Sequence, residues 1–83
     1  MEPDSRTRWR CRRGIREMDL ILERFLGDGY GTLDGIERKA FDAILDLPDQ
    51  DIYGWLMGHG SPPTPALTNI INHIRERTLE APA

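Results

Sequence analysis

Cysteine is almost missing from this chain of 83 residues: there is one, Cys11. A lone cysteine forms no internal disulfide, so the fold has to stand on packing. Histidine is scarce too, with only His59 and His73. These three residues lie in separate segments with no ligand-like spacing, whereas zinc needs three or four converging donors; no metal site is expected. No apolar run approaches the ~20 residues that span a bilayer. The N-terminus is polar and Arg-rich without an apolar stretch behind it, unlike a secretory signal. After Arg12-Arg13, where an export signal would be apolar, stand Gly14-Ile15-Arg16-Glu17. A transit peptide would be poor in acids, yet Glu2 and Asp4 sit near the start. The expectation is a cytoplasmic protein, or one of the matching compartment if processed, with no direct membrane insertion.

What is present suits a soluble globular domain: 39% hydrophobic and 30% charged residues. A domain of this size buries only about 60% of the surface its unfolded chain exposes. The core is therefore thin, leaving little room for a deep pocket holding a dinucleotide, and a module that works on a partner is favoured over an enzyme. The net charge of −3 hides an asymmetry. Residues 1–17 carry six arginines against three acids, a net of +3, while the remainder carries five basic and eleven acidic residues, a net of −6. A basic head on an acidic body invites an acidic or phosphate-bearing partner, or is simply a solvated helix face.

Periodicity and stop signals mark five helices. The first is expected over about Ser5–Arg13, capped by Asp4 or Ser5, ended by Gly14 and anchored by Trp9. The second runs from about Ile15 to Leu26, with Met18, Ile21, Leu22 and Phe25 on one face and Leu20 and Leu26 widening the stripe. Gly27-Asp28-Gly29-Tyr30-Gly31 reads as a loop. Asp34 and Glu37 form a D-x-x-E capping box for a third helix that buries Ala40, Phe41, Ile44 and Leu45 and closes at Leu47-Pro48. A fourth, about Gln50–His59, has Asp49 as cap and Ile52, Trp55 and Leu56 as its buried edge; Gly54 costs it ~1 kcal/mol relative to alanine. The fifth opens with Thr64 as cap and Pro65 at its first position and carries Leu67, Ile70, Ile71 and Ile74 as a full apolar stripe, with Arg75 and Arg77 near its end. Residues 78–83 should fray. No strand is convincing. The predicted fold is all-α: residues 1–83 as one domain, a compact bundle of five short helices with an ordered core over about 6–77.

Candidate chemistry thins out on inspection. Cys11 as a nucleophile needs a base and an orienting group, and a packing role fits better. Asp46, Asp49 and Asp51 around Pro48 read as caps and solvated charge rather than an acid/base pair. Gly27, Gly29 and Gly31 lack the preceding strand that a dinucleotide-binding turn requires. Arg13-Gly14-Ile15-Arg16-Glu17 remains, an R-G-x-x-E string at the junction of the first two helices. It offers a bidentate guanidinium, a glycine permitting close approach and a carboxylate one turn on. Equally, it is a C-cap glycine followed by first-turn charge. A nucleic-acid-binding module using the Arg-rich first helix is the alternative function, opposed by the acidic body and a pI near 5.2.

The run Trp9-Arg10-Cys11-Arg12-Arg13-Gly14-Ile15-Arg16-Glu17-Met18-Asp19 resembles the signature segment of the SdhE family, close to W-x-C-R-R-G-M-x-E-L-D. Phe25 with Tyr30, Leu33-Asp34 with Glu37, Pro48-Asp49, Trp55-Leu56-Met57, His59-Gly60 and Pro62 continue the likeness in order, over about residues 6–77. Ile15, Met18 and Asp34 depart from it mildly, standing where the family has Met, Leu and a Ser cap. The resemblance implies a small helical assembly factor, not an enzyme. Such a factor binds the flavoprotein subunit of succinate dehydrogenase, or of fumarate reductase, and promotes covalent attachment of FAD to a histidine of that subunit. No cofactor stably bound by this chain itself and no nucleic-acid partner are expected. The partner-binding surface is expected at Arg13, Gly14 and Glu17, with Arg12 and Arg16 beside them.

Overall fold

Asp4 accepts a hydrogen bond from the Thr7 amide and starts α1, Ser5–Arg10. The structure, a computed structural model, describes residues 4–79. Five α-helices are present among them: α1, α2 (Arg16–Asp28), α3 (Gly35–Ile44), α4 (Asp49–Leu56) and α5 (Pro65–Thr78), with one 3-10 turn at Tyr30–Thr32. No strand interrupts them, as the periodicity predicts. The fraying expected for 78–83 falls mostly on 80–83, outside the described residues.

The caps of α3 and α5 are the predicted ones. Asp34 and Glu37 exchange side-chain-to-backbone bonds in a complete capping box, and the Thr64 hydroxyl accepts from the Leu67 amide with Pro65 in the first turn. The stripes of α2, α3, α4 and α5 then meet in one cluster. Met18, Leu22, Phe25, Phe41, Ile44, Ile52, Leu56, Ile70 and Ile74 are its fully buried side chains, each contributing about 1.5–3 kcal/mol of burial. Helix α5 packs against α2, α3 and α4 and so occupies the middle of the assembly. Phe41 sits between Phe25 and Tyr30, ring centres 5.5 and 5.7 Å away, within the range favoured for aromatic pairs.

Several expectations need correction. Trp9 is no anchor: it is 76% exposed, and the residue that ties the opening segment to the core is Cys11, 3% exposed. A helix of six residues has one narrow inward face, and Trp9 lies off it. Leu20 is likewise exposed and does not widen the α2 stripe. The glycine-rich segment is not a loop throughout, because α2 continues through Gly27 and Asp28. Gly29 lets the chain leave beneath Phe25, whose ring a β-carbon there would meet at 2.5 Å. Finally, Pro48 and not Asp49 is the N-cap of α4, and Asp49 is committed elsewhere.

Candidate functional site

The end of α1 differs most from the sequence reading, and it builds the site. Helix α1 ends at Arg10; the Cys11 amide still reaches the Thr7 and Arg8 carbonyls, and the Arg12 amide closes a last turn onto the Trp9 carbonyl. The next two amides turn away from the helix. Those of Arg13 and Gly14 both donate to the carboxylate of Asp19, at 2.7 and 3.2 Å. Gly14 takes φ +89, a left-handed conformation that costs other residues roughly 1–2 kcal/mol. The chain therefore bends sharply before Ile15. Ile15 is the N-cap of α2 and supplies no side-chain cap; Asp19, reaching back from α2, accepts instead from the two amides of the bend that precede the helix.

Arg13 points inward. Its Nε donates to Asp49 at 2.6 Å, its Nη1 to the carbonyls of Leu45 (2.7 Å) and Arg10 (3.2 Å), and its Nη2 to the carbonyl of Leu47 (2.9 Å). Its side chain is only 15% exposed. Arg10 works in parallel: Nη1 donates to Asp42 at 2.8 Å, and Nη2 to Asp46 and to the Asp42 carbonyl. Two residues of the basic head thus grip the corner between α3 and α4. Asp46 and Asp49 act neither as caps nor as bare surface charge. With Asp42, they are receptors for arginine.

The other candidates face solvent. Arg12, Gly14, Arg16 and Glu17 are exposed, and a β-carbon on Gly14 would have nothing within 4 Å. Glu17 accepts a hydrogen bond from the Tyr53 hydroxyl at 2.7 Å. That bond raises the Tyr53 pKa, with smaller contributions from burial and from the Glu17 charge. The structure thus gathers Arg12, Gly14, Arg16 and Glu17 around one outward bend and places the Arg13 side chain behind it. Beside the bend, a hollow of about 290 Å³ is lined by Arg8, Cys11, Arg12, Asp19, Glu23 and Leu26. Burial pushes the Cys11 thiol up to about 11, against the pull of Arg13 and Arg10. That is the wrong direction for a nucleophile and the right one for a packing residue. No group of three metal-ligating side chains occurs among the described residues.

Sequence reasoning missed Asp19, Tyr53 and the grip on the α3–α4 corner. A signal for the last was present: Asp42, Asp46 and Asp49 cluster around the predicted junction of the third and fourth helices, opposite in sign to the head. Nothing local marks Tyr53 as a partner of Glu17, 36 residues away.

Comparison with known proteins agrees with the resemblance. A family model described as Sdh5, flavinator of succinate dehydrogenase, matches residues 5–78. The FAD assembly factor SdhE of Legionella pneumophila (strain Lens) is 42% identical over 71 residues, 86% of this chain and 89% of that protein. That of Coxiella burnetii is 39% identical over 72 residues, 87% and 88% of the two chains. That of Pectobacterium atrosepticum is 39% identical over 82 residues, 96% and 93%.

Proposed function

We propose, because this chain belongs to the Sdh5 family of succinate dehydrogenase flavinators, that it binds the flavoprotein subunit of succinate dehydrogenase and promotes covalent attachment of FAD to a histidine there. The flavoprotein subunit of fumarate reductase is the second partner of this reading. The bond-forming chemistry belongs to the flavin and the partner's histidine. This chain acts without catalytic residues, by stabilising a partner conformation that holds those atoms in attack geometry. The contact surface is the bend: Gly14 at its apex, with Arg12, Arg16 and Glu17 around it. Arg13 serves from behind, because its donors are engaged with Asp49 and the carbonyls of Leu45 and Leu47.

One observation carries the reading. Gly14 is exposed, left-handed and unobstructed, yet the backbone beside it is held by side-chain bonds. Such a point lets another protein approach the main chain closely with little ordering cost. FAD is read as the partner's cargo. The hollow beside the bend is at the bottom of the ~300–1,000 Å³ range of small-molecule sites, and Asp19 and Glu23 in its wall offset Arg8 and Arg12, leaving no net positive charge for a pyrophosphate. The nucleic-acid alternative loses ground because Arg10 and Arg13 are already engaged by acids of the same chain. The reading places this work in the cytoplasm; no described helix is long and apolar enough to cross a membrane. The test is co-expression with a tagged flavoprotein subunit. This chain should co-purify with it, and the fraction of flavin surviving denaturation should rise several-fold. A flavoprotein that neither binds this chain nor gains covalent flavin would refute the reading.

A further inference from the structure

We infer that Asp19 is a positioning residue for flavoprotein recognition: its carboxylate holds the Arg13–Gly14 bend in the shape the partner reads. The inference rests on the function proposed above and goes beyond it, because Asp19 is not among the residues that meet the partner in that reading.

Three observations support it. First, among the described residues Asp19 is the one side chain bonded to the amides of the bend, through both oxygens and two successive N–H groups, at 2.7 and 3.2 Å. Successive N–H groups converging on one anion form a nest; here the chain fills its own. Second, the two amides lie after α1 and before α2, outside the backbone pairing of either helix. Without Asp19, both amides at the bend would lose their acceptor. Third, the side chain of Arg13 is held independently by Asp49 and by the carbonyls of Leu45 and Leu47. Losing Asp19 therefore frees the backbone at Gly14 while Arg13 still ties the segment to the body. The consequence is local, a looser bend on an intact bundle, and the partner must then order it on binding.

Chemistry dictates the variant. Asparagine has the same shape, but only one acceptor atom; its amide nitrogen would face a backbone N–H, donor against donor. Asp19→Asn should leave the thermal midpoint within a few degrees of the parent and reduce affinity for the purified flavoprotein subunit about ten- to a hundredfold. Hydrogen exchange at the amides of Arg13 and Gly14 should accelerate, while Ile52 and Ile70 stay protected. The slope of affinity against salt concentration should not change, which separates positioning from a direct charge contact. Unchanged exchange at Arg13 and Gly14, unchanged affinity beside a parent that binds, or a flattened salt slope would each overturn the inference. A parent chain that itself fails to bind the flavoprotein removes the proposed function and this inference with it.

Discussion

Gly14 meets two separate demands at one position, and substitutions can separate them. Its φ of +89 penalises any β-carbon, while the space around that β-carbon is open. Gly14→Ala and Gly14→Arg should therefore each cost about 1–2 kcal/mol in urea unfolding and keep the fold. Only arginine adds bulk at the apex. Gly14→Arg should abolish covalent flavin loading of the partner, seen as loss of flavin fluorescence on a denaturing gel, while Gly14→Ala retains most of it. Equal loading by the arginine variant and the parent would remove Gly14 from the surface. Cys11 yields a pH prediction. Burial raises its pKa from 9.0 to about 11, so the folded state holds the thiol proton more tightly than the unfolded state does. Stability is full below pH 9 and falls as pH rises from about 9 to 11, where the unfolded chain ionises first. The urea midpoint should drop over that interval, and drop less in Cys11→Ala. Alkylation of the native thiol at pH 7 should be far slower than in denaturant.

Among the helices that supply the core, α4 is the least secure on its own. It has eight residues, a proline N-cap without a side-chain bond, and Gly54 in its interior. A β-carbon at Gly54 would come no closer than 3.7 Å to the His59 carbonyl oxygen, an ordinary contact. Gly54→Ala should stabilise the protein by roughly 0.5–1 kcal/mol, measured by urea unfolding. A destabilised Gly54→Ala would mean that this turn needs glycine for a reason other than space. Helix α3 is the contrast. Its reciprocal Asp34–Glu37 box is spelled out by residues three apart, which is why its start was legible. Helix α1 was legible at its start, through Asp4, but not at its end. Its end is set by Asp19 and by the pull of Arg13 toward the α3–α4 corner, and those bonds cross 6 to 36 residues of sequence.

Across the whole molecule, the charge asymmetry closes on itself. Arg10 and Arg13 fasten the opening segment to Asp42, Asp46, Asp49 and the carbonyls around them, because α1 contributes no buried residue of its own. Arg13→Ala leaves the Leu45 and Leu47 carbonyls and Asp49 without their donor. It should cost about 2–3 kcal/mol and also weaken flavoprotein binding in calorimetry, through a displaced bend. Arg10→Ala, whose partners Asp42 and Asp46 are well exposed, should cost about 1 kcal/mol or less and less still in high salt. Equal losses at the two positions would show that the two arginines share the load.

The sequence by itself determined the helical class, the number of helices, most core residues and the caps of α3 and α5. Those features follow from spacings within a few residues, where helical periodicity and capping chemistry operate. It also pointed to the R-G-x-x-E segment, through composition and resemblance. Only the tertiary structure decided which of those residues face outward. Arg12, Gly14, Arg16 and Glu17 do, while Arg13 turns in and Trp9 turns out. The physical reason is that a charged side chain's direction depends on which distant groups offer it a partner. Asp49 and Tyr53 reach Arg13 and Glu17 only once α4 has come against the bend and α2.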